Sequence, residues 1–200
     1  MVPPGPQSAL IVEVPAAEPA VARHRERLDS SAPLGIPAHI TVLYPFLPPG
    51  AIGPPVLAEL ERLFAAVGRF RFRLGRTAWF GPEVLWLAPD PPGPFTARTG
   101  CVGRAFPGFP PYEGRFEVVV PHLTVGEGHL VSELRAAEAA VRAGLPIDAE
   151  AAAVTLMTRA AAGARWVRSA VFPLAAGSVP AGDHEPAGDH EPAGDHAPED

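Results

Sequence analysis

The chain has 200 residues, 47% of them hydrophobic, and a formal charge of −6. This is the length of one domain or of two small fused lobes, with ample apolar content for a core. No apolar run approaches the roughly 18 residues that a membrane-crossing helix needs. The opening "MVPPGPQSALIVEVP" lacks the basic start and long apolar stretch of a secretory signal, so a soluble cytoplasmic protein is expected. The single cysteine, Cys101, excludes an intramolecular disulfide and a cysteine-based metal cluster, and reads as a small buried hydrophobe. All 16 bases are arginine, which excludes a lysine nucleophile or Schiff base.

The elements follow in chain order. "ALIVEV" reads as a strand by its apolar and β-branched content, and "AAEPAVARHRERLD" as a helix with its charges, His24 among them, on one exposed face. "HITVLYPF" is a second strand. "PPVLAELERLFAAVG" is an amphipathic helix opened by proline and closed by glycine. "RFRFRLGRTAWFGPEVLWLAP" reads as two strands around a Gly-Pro turn. "PFTARTGCVGRAF" is helical, "RFEVVVPHLTVG" a strand from Arg115, and "LVSELRAAEAAVRAG" a helix stopped by Gly144. "AEAAAVTLMTRAAAGARWVRSAVFPL" closes as a strand pair around Gly163.

Beyond this body, residues 177–200 repeat Pro-Ala-Gly-Asp-His-Glu. They hold seven of the 22 acids and no base, leaving 15 acids against 16 arginines in the body. Such a segment cannot bury enough apolar surface to order itself, so it reads as a disordered solvated spacer, its three histidines included. The formal charge therefore describes the tail, and the near-neutral body is not expected to grip duplex DNA.

The order helix, strand, helix, hairpin occurs twice, with His39 and His122 lying 43 and 41 residues before the two hairpin turns. The expected fold class is α+β: a bilobal duplicated fold of residues 1–176, two pseudo-symmetric lobes with antiparallel-rich sheets lining a central cleft and helices outside. Each lobe carries one His-x-Thr strand, "HITV" with His39 and Thr41 and "HLTV" with His122 and Thr124. On a strand, residues two apart share a face, so each His travels with its Thr into the cleft. Two facing imidazoles suit a reaction that removes one proton and delivers another, and the hydroxyls suit donation to an anion. In-line displacement at a phosphodiester needs that set. No metal or other cofactor is expected, because neither motif has carboxylates at ligand spacing.

On these residues the chain resembles the two-histidine (2H) phosphoesterase superfamily, in its branch of 2'-5' RNA ligase-like RNA 2',3'-cyclic phosphodiesterases. The resemblance covers roughly Ser8 to Leu174. It implies metal-independent hydrolysis of a 2',3'-cyclic phosphate on an RNA end or nucleotide to a 2'-phosphate; some members also join RNA ends through a 2'-5' bond. It makes His39 and His122 catalytic, with Thr41 and Thr124 holding the phosphate. The assignment leaned toward is His122 activating water and His39 protonating the leaving 3'-oxygen. The alternative is a non-catalytic nucleotide- or RNA-binding module using the same cleft.

Arg76 and Arg159, comparably placed before the two hairpin turns, are candidates for lining the cleft. Tyr44 and Phe46, with Trp79 and Trp166, are candidates for stacking a base. The Arg69, Arg71 and Arg73 stripe reads as a solvated face over a phenylalanine core. The expected partner is an RNA end or cyclic nucleotide, with no membrane, and the expected state is a monomer.

Overall fold

The computed structural model describes residues 5–115 and 118–176, and the expected tail lies outside them. Eight strands and four α-helices are described: β1 Gln7–Glu13, α1 Glu18–Leu28, β2 His39–Leu43, α2 Pro54–Ala65, β3 Phe70–Phe80, β4 Val84–Asp90, α3 Gly93–Ala105, β5 Leu123–Glu127, α4 Val131–Arg142, β6 Ile147–Ala151, β7 Ala153–Arg159 and β8 Val167–Pro173. They form two antiparallel four-stranded sheets, β2-β1-β7-β8 and β5-β4-β3-β6. The fold class is the expected one.

Two expectations change. The strand read from Arg115 begins only at Leu123, leaving His122 just outside it. The closing strand pair is three strands, because β6 pairs with β3 in one sheet and β7 with β1 in the other, the chain crossing over at Ala152. Each hairpin also joins the sheet of the other His-x-Thr strand: β3 and β4 lie with β5, while β7 and β8 lie with β1 and β2.

Alternation places the side chains. Ile40 and Val42 on β2 are buried, as are Leu123 and Val125 on β5, and all four join one core cluster with Leu10, Val12, Leu85 and Leu87. His39, Thr41 and Thr124 therefore sit on the opposite, half-buried face. Truncating a core residue such as Ile40 to alanine is expected to cost about 2–5 kcal/mol.

The helices lace the two sheets together. α1 packs on β5 of the second sheet, and α3 packs on β2 of the first. These two strands are the facing edges of their sheets and adjoin one another. Thr99 of α3 fastens this arrangement by donating its hydroxyl to the Val42 carbonyl at 2.8 Å. At Gly126, an added Cβ would lie 2.7 Å from Leu28 and 2.8 Å from Leu134, so only glycine lets α1 and α4 close over β5.

The α1 face expected to be exposed is partly interior. Arg25 is 2% exposed and pairs with Asp29 at 3.0 and 2.8 Å through Nε and one terminal nitrogen. The second Asp29 oxygen accepts the Ser31 backbone and side chain at 2.8 and 2.7 Å. A buried pair is tolerable when its remaining valences are met in this way. The Arg69–Arg73 stripe is solvated as expected: Arg69, Arg71 and Arg73 are exposed over buried Phe72, and Arg73 pairs with Asp148.

Candidate active site

β2 and β5 bring the two His-x-Thr pairs to one place. Nδ1 of His39 lies 2.8 Å from the carbonyl of Pro37, and Nδ1 of His122 lies 2.8 Å from the carbonyl of Val120. A carbonyl only accepts, so each Nδ1 carries the proton and donates it. In a neutral ring this leaves Nε2 as the lone-pair nitrogen, ready to take a proton. The same local device thus fixes the tautomer of both rings.

Their electrostatics differ. Burial pushes the His39 pKa down to about 4; Arg25 and His122 add to this, against the opposing Pro37 bond and Asp29. His122 is also lowered by burial, but its Val120 bond and Glu127 favour the charged form. Both rings are lowered, and the further drop at His39, with Arg25 acting on it against Asp29 while Glu127 supports His122, makes His39 the harder of the two to protonate. The two rings feel each other's charge, which puts them within one electrostatic site.

The register extends the site over both sheets. Thr41 lies opposite Ile11, and Ile11 opposite Thr155; farther along the same face Gln7 lies opposite Arg159. Arg159 is 9% exposed, donates to the Gln7 side-chain carbonyl through Nε at 2.8 Å, and stands 4.8 Å over the Trp166 ring. Tyr44 donates its hydroxyl to the same Gln7 oxygen at 3.0 Å and meets Trp166 edge-on. In the second sheet Thr124 lies opposite Trp86, Trp86 opposite Ala78, and Arg76 opposite Ala88. Arg76 is exposed and lines a groove with Trp86, Ala88, Val120 and Pro121, next to His122.

Arg76, Arg159 and Tyr44 therefore lie on the same sheet faces as the His-x-Thr pairs. Phe46 does not. It is 3% exposed in the core, edge-on to Phe106 and Phe109, because the segment after α3 folds over it. Trp79 faces away from the site, donating its indole N–H to Glu138 at 3.0 Å beneath Arg135.

Three neighbours escaped the sequence reading. Phe80 and Trp86 stack at 4.6 Å and present edges to the His122 ring at 5.0 and 5.9 Å. The alternation Arg76, Ala78, Phe80 carried the signal for one of them. The third is Tyr112, whose hydroxyl is hydrogen-bonded to Thr41; burial raises its pKa and that bond lowers it. Among the described residues no three His, Cys, Asp or Glu side chains gather as a metal site, and no helix is long and apolar enough to cross a membrane.

The fold is shared with proteins of known structure. TT0787 of Thermus thermophilus superposes with a TM-score of 0.56 at 18% identity, covering 85% of this chain and 98% of that one. E. coli LigT in complex with 3'-AMP superposes with a TM-score of 0.52 at 17% identity, covering 86% and 99%. No curated protein matches the chain by sequence. The profile of the 2'-5' RNA ligase superfamily matches residues 12–163, a span that contains both His-x-Thr strands, the first hairpin turn and the groove beside His122, and ends within the second turn. The chain belongs to that superfamily, and with it to the two-histidine phosphoesterases.

Proposed function

We propose that the protein hydrolyses a 2',3'-cyclic phosphate, on an RNA end or a nucleotide, to a 2'-phosphate without a metal ion. The matched tautomers carry this reading: two imidazoles, each with Nδ1–H held by the carbonyl two residues earlier. Binding alone needs donors; it does not need two rings each prepared to exchange a proton at Nε2.

In the proposed reaction the neutral imidazole takes a proton from water, whose oxygen bonds to phosphorus. The bond from phosphorus to the 3'-oxygen breaks, and the protonated imidazole delivers a proton to that oxygen. Thr41 and Thr124 donate to the non-bridging oxygens as charge builds there. Arg25 and Glu127 favour His39 as base and His122 as acid, opposite to the assignment leaned toward from sequence. With a 5'-hydroxyl in place of water, the same displacement forms a 2'-5' bond.

Arg159, Tyr44 and Arg76 extend the cleft on either side of this centre and suit the flanking nucleotide. The body acts as one phosphoesterase unit, 1–176, without a partner chain. The test is product analysis: a cyclic-phosphate-ended oligomer incubated in EDTA is expected to yield the 2'-phosphate. A 3'-phosphate product, or turnover that requires a divalent ion, would overturn the reading.

A further inference from the structure

The peptide between Pro37 and Ala38 is hydrogen-bonded on both sides, and it joins a carboxylate to a ring of the site. Its carbonyl accepts the His39 Nδ1–H at 2.8 Å, and its N–H donates to Oε1 of Glu18 at 2.6 Å. Ala38 is fully buried, so its N–H must find an acceptor within the protein. A backbone carbonyl would serve, yet the acceptor is an acidic side chain from the first residue of α1, 20 positions earlier. Among the described residues Glu18 forms no ion pair that would spend its charge on a cation. The next peptide is tied down as well, the Ala38 carbonyl accepting the Val14 N–H at 2.7 Å. His122 has no equivalent. The carbonyl it uses belongs to the peptide between Val120 and Pro121, and proline has no N–H to give.

We propose that Glu18 is a positioning residue that acts on His39 through the Pro37–Ala38 peptide. An amide whose N–H is donated to a carboxylate carries more negative charge on its oxygen, because hydrogen bonds in series polarise one another. The Pro37 carbonyl is therefore a stronger acceptor than an ordinary one. It holds the Nδ1 proton in place and stabilises the imidazolium that forms when Nε2 takes a proton, as a carboxylate placed directly behind an imidazole does. Other charges bear on this ring: Arg25 and Asp29 from α1, and His122 from the approach to β5. Glu13 lies opposite His39 on β1 but is held by Arg168. Arg25 opposes the arriving proton and Glu18 favours it. The unequal peptides thus separate the roles by a route independent of Glu127: the ring backed by a carboxylate is the base.

This inference rests on the phosphodiesterase reading, and the experiment separates the two because its first measurement needs no turnover. Wild type, Glu18→Gln and Glu18→Ala are followed by NMR of the histidine ring protons, with His39 assigned through His39→Gln. Glutamine keeps an oxygen for the Ala38 N–H and removes the charge; alanine removes both. Glu18→Gln is expected to move the His39 Nδ1–H resonance upfield, the mark of a weaker hydrogen bond, and to leave that of His122 in place. On uridine 2',3'-cyclic phosphate it is expected to lower kcat about 10-fold or more with KM little changed. An unmoved His39 resonance overturns the proposal. So does Glu18→Gln turnover within about twofold of wild type beside an impaired Glu18→Ala, since a mere tether is rescued by the neutral acceptor. A wild type that opens no cyclic phosphate while the resonance moves as expected overturns the phosphodiesterase reading and leaves the coupling of Glu18 to His39 standing.

Discussion

His39 opens β2 and His122 immediately precedes β5 of the other sheet, yet both are oriented by one device, each donating Nδ1–H to the carbonyl two residues earlier at 2.8 Å. Both motifs have a proline nearby, at Pro37 and Pro121, which keeps those approach segments extended and their carbonyls out of the ladder. What differs is the charge acting on each ring: Arg25, opposed by its partner Asp29, for His39 and Glu127 for His122.

That asymmetry predicts which histidine is the acid. An activated diester with a nitrophenolate leaving group needs no proton at its departing oxygen. His122→Ala is expected to recover most of its activity when moved from a cyclic nucleotide to such a substrate, while His39→Ala stays at least about 100-fold impaired. Recovery by His39→Ala instead would reverse the roles.

The pH profile follows from both shifts. The base works above its pKa and the acid below its own, so kcat/KM is expected to rise through about 4, where His39 loses its proton. It is expected to fall at a point below the ordinary 6.5, where His122 loses its proton. The free enzyme should therefore be most active in mildly acidic solution. Glu127→Gln removes a carboxylate that favours protonated His122 and should move the upper limb further down. An upper limb unmoved by this change would remove Glu127 from the scheme.

His39 also ties stability to pH. Its folded pKa of about 4 lies below the ordinary 6.5, so between those values the unfolded chain binds a proton that the folded chain refuses. Stability from this group is complete above 6.5 and falls as pH drops toward 4, by at most about 3 kcal/mol. Denaturant titrations from pH 7 to 4 should show that loss, and His39→Gln should flatten it. An equal slope in the variant would show that His39 does not carry it.

The distance from core to catalysis is short at Gly126, two residues after Thr124. Gly126→Ala places a methyl against Leu28 and Leu134, and overpacking of this kind typically costs about 1–3 kcal/mol. Because α1 and α4 bear on β5 there, the variant is expected to lower kcat as well as the melting temperature. A fall in melting temperature with unchanged kcat would show that β5 stays in place.

Much of the site was legible because strand alternation is local. A period of two puts His39 with Thr41 and His122 with Thr124 whatever the sheets do. Arg76 and Arg159 were legible only from their places before the hairpin turns, and a register shift between Leu74 and Arg76 is what turns Arg76 away from the core face of Phe72 and Leu74. What was hidden is non-local. β6 reads "IDAEA", with a single large apolar residue, and only its pairing with β3 makes it a strand. Phe46 looked available for stacking because nothing in "HITVLYPF" announces a strap over its ring. Arg25 sits in "RHRER", a run that reads as solvated, and only the Asp29 pair and the closure of α1 on β5 bury it. Exchange of the hairpins between sheets leaves no trace in element order, since either pairing gives the same sequence of strands.

The most direct measurement of the central claim is turnover of a 2',3'-cyclic-phosphate-ended RNA and of cyclic mononucleotides by wild type, His39→Ala and His122→Ala, with folding checked by circular dichroism. Wild type is expected to open the ring, and each variant to lose activity by about 100-fold or more, with little further loss in the double variant. Folded wild type that opens none of these rings, or a single variant that retains wild-type turnover, would contradict it.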